Sequence, residues 1–189
     1  MEELLKFLNA CYPVAPELQV NLMHCLPREV HRTNKLILEA GDICDWIAFV
    51  EKGLLKIYYE LEDGTERVIW YHKEGDIIGS MKSFYKTLPS KLYIKTLEET
   101  HLRKIRKTDL ETIYEKFIEF NINGRKLTEE YYGMSEDHVI LIAIPPKERF
   151  KMLQQDYPWM IHDPRIKDYM LAAYLSIDKA TLSRYRNSK

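Results

Sequence analysis

Residues 120–144, FNINGRKLTEEYYGMSEDHVILIAI, carry the longest helical pattern in the chain. Apolar or small residues recur there at alternating steps of four and three, the spacing of a stripe along one side of a helix. The stripe consists of Phe120, Gly124, Leu127, Tyr131, Met134, His138 and Leu141. Pro145 and Pro146 end the pattern, because proline restricts the residue before it and donates no helical hydrogen bond. The stretch predicts a helix of roughly 25 residues and ~38 Å.

The length of this helix leaves two interpretations open. It exceeds the usual ~11–12 residues of a globular helix, so it either joins two modules or packs on its own domain. Gly124 and Gly133 each cost ~1 kcal/mol relative to alanine, although a glycine in a seam also permits close approach. Strand signals precede the helix and a compact helical segment follows it, which favours the first interpretation.

The glycines of the first half mark a series of short strands. Gly41, Gly53, Gly64 and Gly75 stand 12, 11 and 11 residues apart, and Asp63-Gly64 is a strong hairpin signal. The runs rich in β-branched and aromatic residues are 46–50, 54–59, 67–71, 92–96 and 101–106. Helices are predicted at 2–9, 16–26 and 108–118, the last opened by a capping box at Thr108-Asp-Leu-Glu111. This pattern indicates an antiparallel sandwich, roll or barrel.

The segment after Pro145 has no glycine and no convincing strand. It predicts a helix at 146–155, a loop at 156–159 and a further helical segment from Asp163-Pro164. A break at Ser176-Ile177 precedes Asp178, a good N-cap for a last helix to about Asn187. Two short helices around a tight turn, close at Ala172, make a helix-turn-helix. A purely structural three-helix cap is the alternative, and the basic and hydroxyl side chains of the last helix count against it.

Charge and composition limit the class of protein. Residues 145–189 hold nine Lys/Arg against five Asp/Glu, a net +4, which leaves −5 for residues 1–144. We therefore expect only the tail to meet a polyanion. The longest apolar run, 139–144, is too short to span a bilayer, and residues 1–10 carry no secretory pattern. The three cysteines, Cys11, Cys25 and Cys44, are widely spaced, which favours reduced thiols in the cytoplasm over a metal site or a disulfide frame.

A β-roll, a long seam helix and a terminal helix-turn-helix, in that order, resemble the cyclic-AMP receptor protein / fumarate-nitrate regulator superfamily. The strongest parts of the resemblance are Gly75-Asp-Ile-Ile-Gly79 and Ala173-Tyr-Leu-Ser-Ile-Asp-Lys-Ala-Thr-Leu-Ser-Arg184. The implied fold is α+β, with an N-terminal antiparallel β-roll and flanking helices at 1–118, a dimerisation helix at 119–144 and a helix-turn-helix domain with an abbreviated wing at 145–189. The resemblance implies a homodimeric regulator whose partners are double-stranded DNA, RNA polymerase and, if the roll is a sensor, a small-molecule effector.

The predicted DNA-reading residues are Lys179, Thr181, Ser183, Arg184, Arg186 and Lys189. Arg184 is the best candidate for bidentate contact to guanine, whereas Arg186, Lys189 and Lys167 suit phosphates. The predicted dimer seam consists of Phe120, Leu127, Tyr131, Met134, His138 and Leu141. His138 on that seam either makes dimerisation dependent on pH or is an ordinary half-buried helix histidine.

The predicted effector pocket consists of Gly79, Ser80, Met81, Ser90, Lys91 and Tyr131. In nucleotide-binding members of the resembled superfamily this region supplies a glutamate for the ribose and an Arg-Ser pair for the cyclic phosphate. Here Ser80 replaces the glutamate and Ser90-Lys91 replaces Arg-Ser, and lysine lacks the bidentate guanidinium fork. A cyclic nucleotide, an unidentified ligand and no ligand therefore all stay open. No metal or iron–sulfur cluster is expected, since the N-terminal cysteine cluster of such relatives is absent from the sequence.

Two other classes of protein compete with a DNA-binding regulator. A β-roll enzyme of the cupin type needs closely spaced histidines, but His72 has only Glu74 nearby and no H-x-H occurs. No catalytic residues are predicted. The second rival is a ligand-binding or assembly module whose basic tail meets protein. Salt dependence separates it from the regulator, because DNA binding weakens steeply and log-linearly with salt.

Overall fold

The computed structural model describes residues 1–187. The helices are α1 Glu2–Cys11, α2 Pro16–Cys25, α3 Met81–Lys86, α4 Lys107–Lys116, α5 Phe120–Ala143, α6 Pro146–Asp156, α7 Pro158–His162, α8 Asp168–Leu175 and α9 Lys179–Asn187. The strands are β1 Arg28–His31, β2 Leu36–Leu38, β3 Trp46–Lys52, β4 Leu55–Glu60, β5 Glu66–His72, β6 Ile77–Ile78, β7 Tyr93–Thr96 and β8 Thr100–Arg106.

The strands form two antiparallel four-stranded sheets that face each other. One has the order β1-β8-β3-β6 and the other β2-β7-β4-β5. Val50 pairs with Leu102 in the first sheet and Ile57 with Ile94 in the second, and all four side chains lie in the core between the sheets. The predicted fold class, an α+β protein with an N-terminal antiparallel roll, is confirmed.

Two glycines show why the strand turns fall where they do. Gly64 has φ +78° in the β4–β5 hairpin, next to Asp63, whose carboxylate accepts the N–H of Thr65 at 2.9 Å. Gly53 has φ +115°, and a Cβ there would lie 2.5–2.9 Å from atoms of Thr100. Both positions require a residue that tolerates positive φ, and Gly53 also requires the absence of a side chain.

Helix α5 contributes residues to each of the three hydrophobic cores. Phe120 and Leu127 pack with α1, α2 and α4, Met134 packs on the core of the roll, and Leu141 packs in the helical C-terminal core. The helix ends at Ala143 because Ile144 is extended before Pro145 and Pro146. The predicted long helix is therefore confirmed, and its apolar stripe faces its own chain.

The last two helices form the expected turn. Ser176 adopts the left-handed region at φ +55°, and the N–H of Ile177 donates to the carbonyl of Ala172 at 3.0 Å. Ala172 is buried where α8 meets α9. Asp178 caps α9, since its carboxylate accepts the N–H of Thr181 at 2.8 Å.

Several local predictions were wrong. Helix α4 begins at Lys107, and its N-cap Arg106 makes no side-chain cap, so Thr108 does not open a capping box. Part of the predicted loop at 156–159 belongs to α7, because Pro158 suits the first helical position. The short strands β1, β2 and β6 and the helix α3 were not predicted, since each has six residues or fewer and too little pattern to detect.

Candidate DNA-reading surface and effector pocket

Helix α9 exposes most of the predicted DNA-reading residues. Lys179, Ser183, Arg184 and Arg186 are exposed, while Leu182 is buried. Thr181 is only half-exposed, and its hydroxyl donates to the second oxygen of the capping carboxylate at 2.8 Å. Lys189 lies outside the described residues.

The basic side chains of this surface are already oriented by neighbours. Arg184 donates from Nη2 to the Thr181 hydroxyl at 2.7 Å. Arg186 forms an ion pair of 2.7 Å with Asp168, the first residue of α8, and the Lys179 ammonium lies 5.6 Å from the centre of the Tyr169 ring. The basic side chains available to a charged ligand are therefore held near the turn between α8 and α9.

The helix-turn-helix docks against the second sheet of the roll. The Tyr71 hydroxyl donates to the carbonyl of Met170 at 3.2 Å, and the Tyr71 and Tyr174 rings lie 5.9 Å apart. Leu54, from the start of β4, is buried in the same C-terminal core. This contact gives the roll a direct connection to α8.

A cluster of charges strengthens this docking. Arg165, before α8, donates to both oxygens of Glu74 at 2.8 and 3.0 Å, to Glu98 at 2.7 Å and to Asp163 at 2.7 Å. Burial opposes ionisation of Glu74, but hydrogen bonds from Arg165 and from the N–H of Gly53 outweigh it and lower the pKa of Glu74 to about 2. The same guanidinium lowers the pKa of Asp163.

The segment 79–91, which the resemblance assigns to cyclic-nucleotide binding, is closed by hydrogen bonds between its own side chains. Ser80 and Ser90 are both buried, and their hydroxyl oxygens lie 2.9 Å apart. Ser90 also accepts the N–H of Leu92 at 3.0 Å, and the N–H of Ser80 points at the Cys44 sulfur at 3.5 Å. The hydroxyls of Ser80 and Ser90 are thus paired within the chain.

The six predicted pocket residues do not converge on one site. Gly79, Ser80 and Ser90 are buried in this closed segment, and Lys91 is exposed. Met81 and Tyr131 instead line a separate cavity of about 210 Å³ between α5, α1, α4 and the roll. The structure therefore divides the predicted effector pocket into a closed segment and an open cavity.

The cavity combines an apolar wall with one buried histidine. Phe7, Ile47, Leu110 and Leu127 are among its apolar residues. His72, at the end of β5, is 3% exposed and also lines it. Its Nδ1 lies 3.3 Å from an oxygen of Asp76, while its Nε2 has no hydrogen-bond partner among the described residues.

The residues predicted for the dimer seam contact their own chain. Phe120 and Leu141 are each 5% exposed, Leu127, Tyr131 and Met134 are half-buried, and His138 lies 4.9 Å from the Trp70 ring. The Nδ1 of His138 is buried without a partner among residues 1–187, and burial lowers the pKa of this histidine. A second apolar set on α5 is exposed: Tyr132, Val139, Ile140, Ile142 and Ala143.

No helix within residues 1–187 is long and apolar enough to cross a membrane. No group of three or more His, Cys, Asp or Glu side chains among these residues is arranged to hold a metal ion.

Known proteins resemble the chain in sequence. The family model of the cyclic nucleotide-binding domain matches residues 28–117. The cAMP-activated global transcriptional regulator Vfr of Pseudomonas aeruginosa is 35% identical over 74 residues, which make up 39% of this chain and 34% of Vfr. The match thus spans about a third of that curated relative. Vfr is a regulator by name, which agrees with the predicted class of protein and gives the enzyme alternative no support.

Solved structures resemble the chain over most of its length. FixK2 from Bradyrhizobium japonicum has a TM-score of 0.68 at 19% identity and covers 85% of this chain and 82% of its own. A mutant of CooA from Carboxydothermus hydrogenoformans has a TM-score of 0.71 at 16% identity, covering 97% of this chain and 82% of its own. At these identities the likeness shows a shared fold.

Three features of the site were not predicted from the sequence. The cavity draws residues from α1, α4 and β5, which are far apart in the chain and carry no common motif. Arg165 meets Glu74 across 91 residues, so only the fold shows that they pair. The exposed apolar face of α5 was detectable in principle, because Val139, Ile140 and Ile142 interrupt the polar side of the predicted helix.

Proposed function

Because the chain has the fold of the cyclic-AMP receptor protein / fumarate-nitrate regulator superfamily, with a cyclic nucleotide-binding domain at residues 28–117, we propose that it is a dimeric regulator of transcription that binds DNA sequence-specifically. The observation that carries this proposal is the exposed, basic face of α9 at the end of a helix-turn-helix. RNA polymerase stays a predicted partner, and the cytoplasm is the compartment in which such a regulator acts.

DNA recognition is assigned to α9 and its cap. Arg184 projects from the exposed face and reads guanine through its two-pronged guanidinium, while Ser183 and Lys179 reach bases or phosphates nearby. Thr181 is a positioning residue, because both its N–H and its hydroxyl bind the capping Asp178. Arg186 leaves its ion pair with Asp168 and contacts a phosphate of the DNA backbone instead.

Dimerisation is assigned to the exposed apolar face of α5, and its partner is a second copy of this chain. The seam predicted from the sequence packs largely against the chain's own cores, which favours a different surface of α5 for the partner. Tyr132 is 75% exposed and Val139 61%, and both lie on the same side of the helix. Two such helices pairing across a two-fold axis place the two α9 helices to read half-sites about one DNA turn apart.

Cyclic AMP is not the effector in this proposal. The name of Vfr states activation by cAMP, but in this chain the closed Ser80–Ser90 segment takes the place of the carboxylate and guanidinium that the resemblance leads one to expect. A ligand that controls DNA binding acts through the roll and α5 on the docked helix-turn-helix. A ligand shifts this equilibrium only as far as its affinities for the two arrangements differ.

The proposal is tested by selecting DNA on the purified protein without nucleotide, at two salt concentrations. A palindromic consensus with half-sites about one helical turn apart supports it, with affinity that falls steeply as salt rises. Adding cyclic AMP should change neither the consensus nor the affinity. A basic tail that captures protein instead, the remaining alternative, gives no enriched sequence at either salt concentration, nor in the presence of a nucleotide panel.

A further inference from the structure

We propose that the cavity between α5, α1, α4 and the roll binds a small, largely apolar organic molecule that carries one hydrogen-bond donor and no negative charge. This binding stands on the geometry of the cavity. Its role as the effector of transcription rests on the function proposed above.

The cavity is much larger than an ordinary packing void. Protein interiors are packed as densely as organic crystals and contain few voids larger than a water molecule. A space of about 210 Å³, lined by Ile47, Leu110 and Leu127 among others, is several times the ~30 Å³ share of one water in the liquid. Exposed residues such as Tyr85 and Thr128 also line it, so the cavity has an accessible mouth.

His72 brings an unpaired ring nitrogen to the cavity. Buried polar groups almost always have a hydrogen-bond partner, yet Nε2 has none among the described residues, although His72 is 97% buried and lines the cavity. The carboxylate of Asp76 accepts the proton on Nδ1, so a neutral His72 presents Nε2 as an acceptor. The complementary group on a ligand is a hydroxyl or an N–H.

The charged residues that line the cavity are acidic. Asp76 and Glu130 line it, and no lysine or arginine does so among the described residues. An anion, whether a carboxylate or a cyclic phosphate, would meet two carboxylates and no fixed cation. The wall therefore selects for a neutral or cationic molecule.

The position of the cavity connects it to the reading helices. Tyr131 and Leu127 of α5 form one wall, while His72 and Asp76 belong to the segment that also carries Glu74. Glu74 holds Arg165 of the helix-turn-helix domain, and Tyr71 donates to Met170 of α8. A ligand that hydrogen-bonds His72 acts directly beside the docking contact.

The experiment uses three bicyclic probes of similar size, namely 2-naphthol, naphthalene and 2-naphthoate, with cyclic AMP as a fourth. Calorimetric titration of the full chain should show the tightest binding for 2-naphthol, with naphthalene and 2-naphthoate at least about tenfold weaker, since each lacks a donor or adds a charge. Cyclic AMP should not compete with 2-naphthol.

Two variants locate the binding site. His72→Phe keeps an aromatic ring and removes Nε2, so it should lower the 2-naphthol affinity about tenfold, whereas His24→Phe, at an exposed histidine of α2, should leave it unchanged. Thr128→Phe places a bulky ring at the exposed mouth without altering the core, so it should block binding in a protein that unfolds at the wild-type temperature.

The proposal is overturned if no probe binds, if naphthalene binds as tightly as 2-naphthol, or if His72→Phe binds 2-naphthol as the wild type does. DNA selection is a separate readout. Binding of 2-naphthol through His72 in a protein that selects no DNA would keep the cavity as a ligand site and reject the regulator.

Discussion

Arg165 donates two parallel hydrogen bonds of 2.8 and 3.0 Å to the carboxylate of Glu74, and so joins the helix-turn-helix domain to the roll. Bidentate pairs of this kind are the strong members of their class. The pair lies beside the Tyr71–Met170 hydrogen bond, so two polar contacts and an apolar core hold the same interface. The roll and the helix-turn-helix domain are therefore in direct contact, in addition to their connection through α5.

Arg165→Ala should loosen this docking. The change leaves Glu74, Glu98 and Asp163 as mutually repelling carboxylates, and we expect a loss of about 1 kcal/mol after discounting for their partial exposure. Hydrogen exchange should show faster opening in β5 and α8. Arg32→Ala, at an exposed arginine on the roll, is the control, and equal exchange in the two variants would contradict the assignment.

The docking contact should weaken in acid. The pKa of Glu74 is about 2 in the fold, below its ordinary value of 4.5, so the unfolded chain binds more protons between these values. The stability that the carboxylate contributes is complete above about pH 4.5 and is lost as the pH falls toward 2. Denaturant titrations at pH 5.5 and 3.5 should show a smaller loss for Glu74→Gln than for the wild type, and an equal loss would contradict it.

His138 should make stability, rather than dimerisation, dependent on pH. Burial against Trp70 and near Tyr174, neither of which carries charge at neutral pH, lowers its pKa below the ordinary 6.5. Stability is therefore complete above pH 6.5 and falls as the pH drops below it. Comparing wild type and His138→Gln from pH 7.5 to 5.5 should show a shallower slope for the variant. A pH-dependent dimer mass with unchanged stability would contradict this.

Val139→Glu should convert a dimer into a monomer. Valine at this position is 61% exposed on α5, and a carboxylate buried against its counterpart across the two-fold axis is strongly unfavourable. Analytical ultracentrifugation should show a dissociation constant raised at least about tenfold. Val20→Glu is the matched control, since Val20 is 53% exposed on the unrelated helix α2. Equal behaviour of both variants would place the dimer contact elsewhere.

Much of the fold could be predicted from local pattern. Three features act over only a few residues each, so their structural effect can be predicted from the sequence. They are the alternating steps in α5, the two prolines that end it and the four evenly spaced glycines. The Asp178 cap is equally local and forms as expected.

The apolar stripe of α5 did not predict whether that face packs on its own chain or on a partner. Apolar periodicity indicates that a face is buried, but it does not distinguish burial in the same chain from burial in a partner. Leu127, Met134 and Leu141 pack into the chain's own three cores, whereas the weaker apolar set around Val139 stays exposed. The cavity at His72 arises only from the assembly of distant elements.

The most direct test of the account is titration of the selected DNA site with wild type, Arg184→Ala and Arg32→Ala at fixed salt. We expect Arg184→Ala to lose ~1–3 kcal/mol of binding free energy and to relax the preference at one base pair of each half-site, while Arg32→Ala binds as the wild type does. If Arg184→Ala binds the site with unchanged affinity and preference, α9 is not the helix that reads DNA.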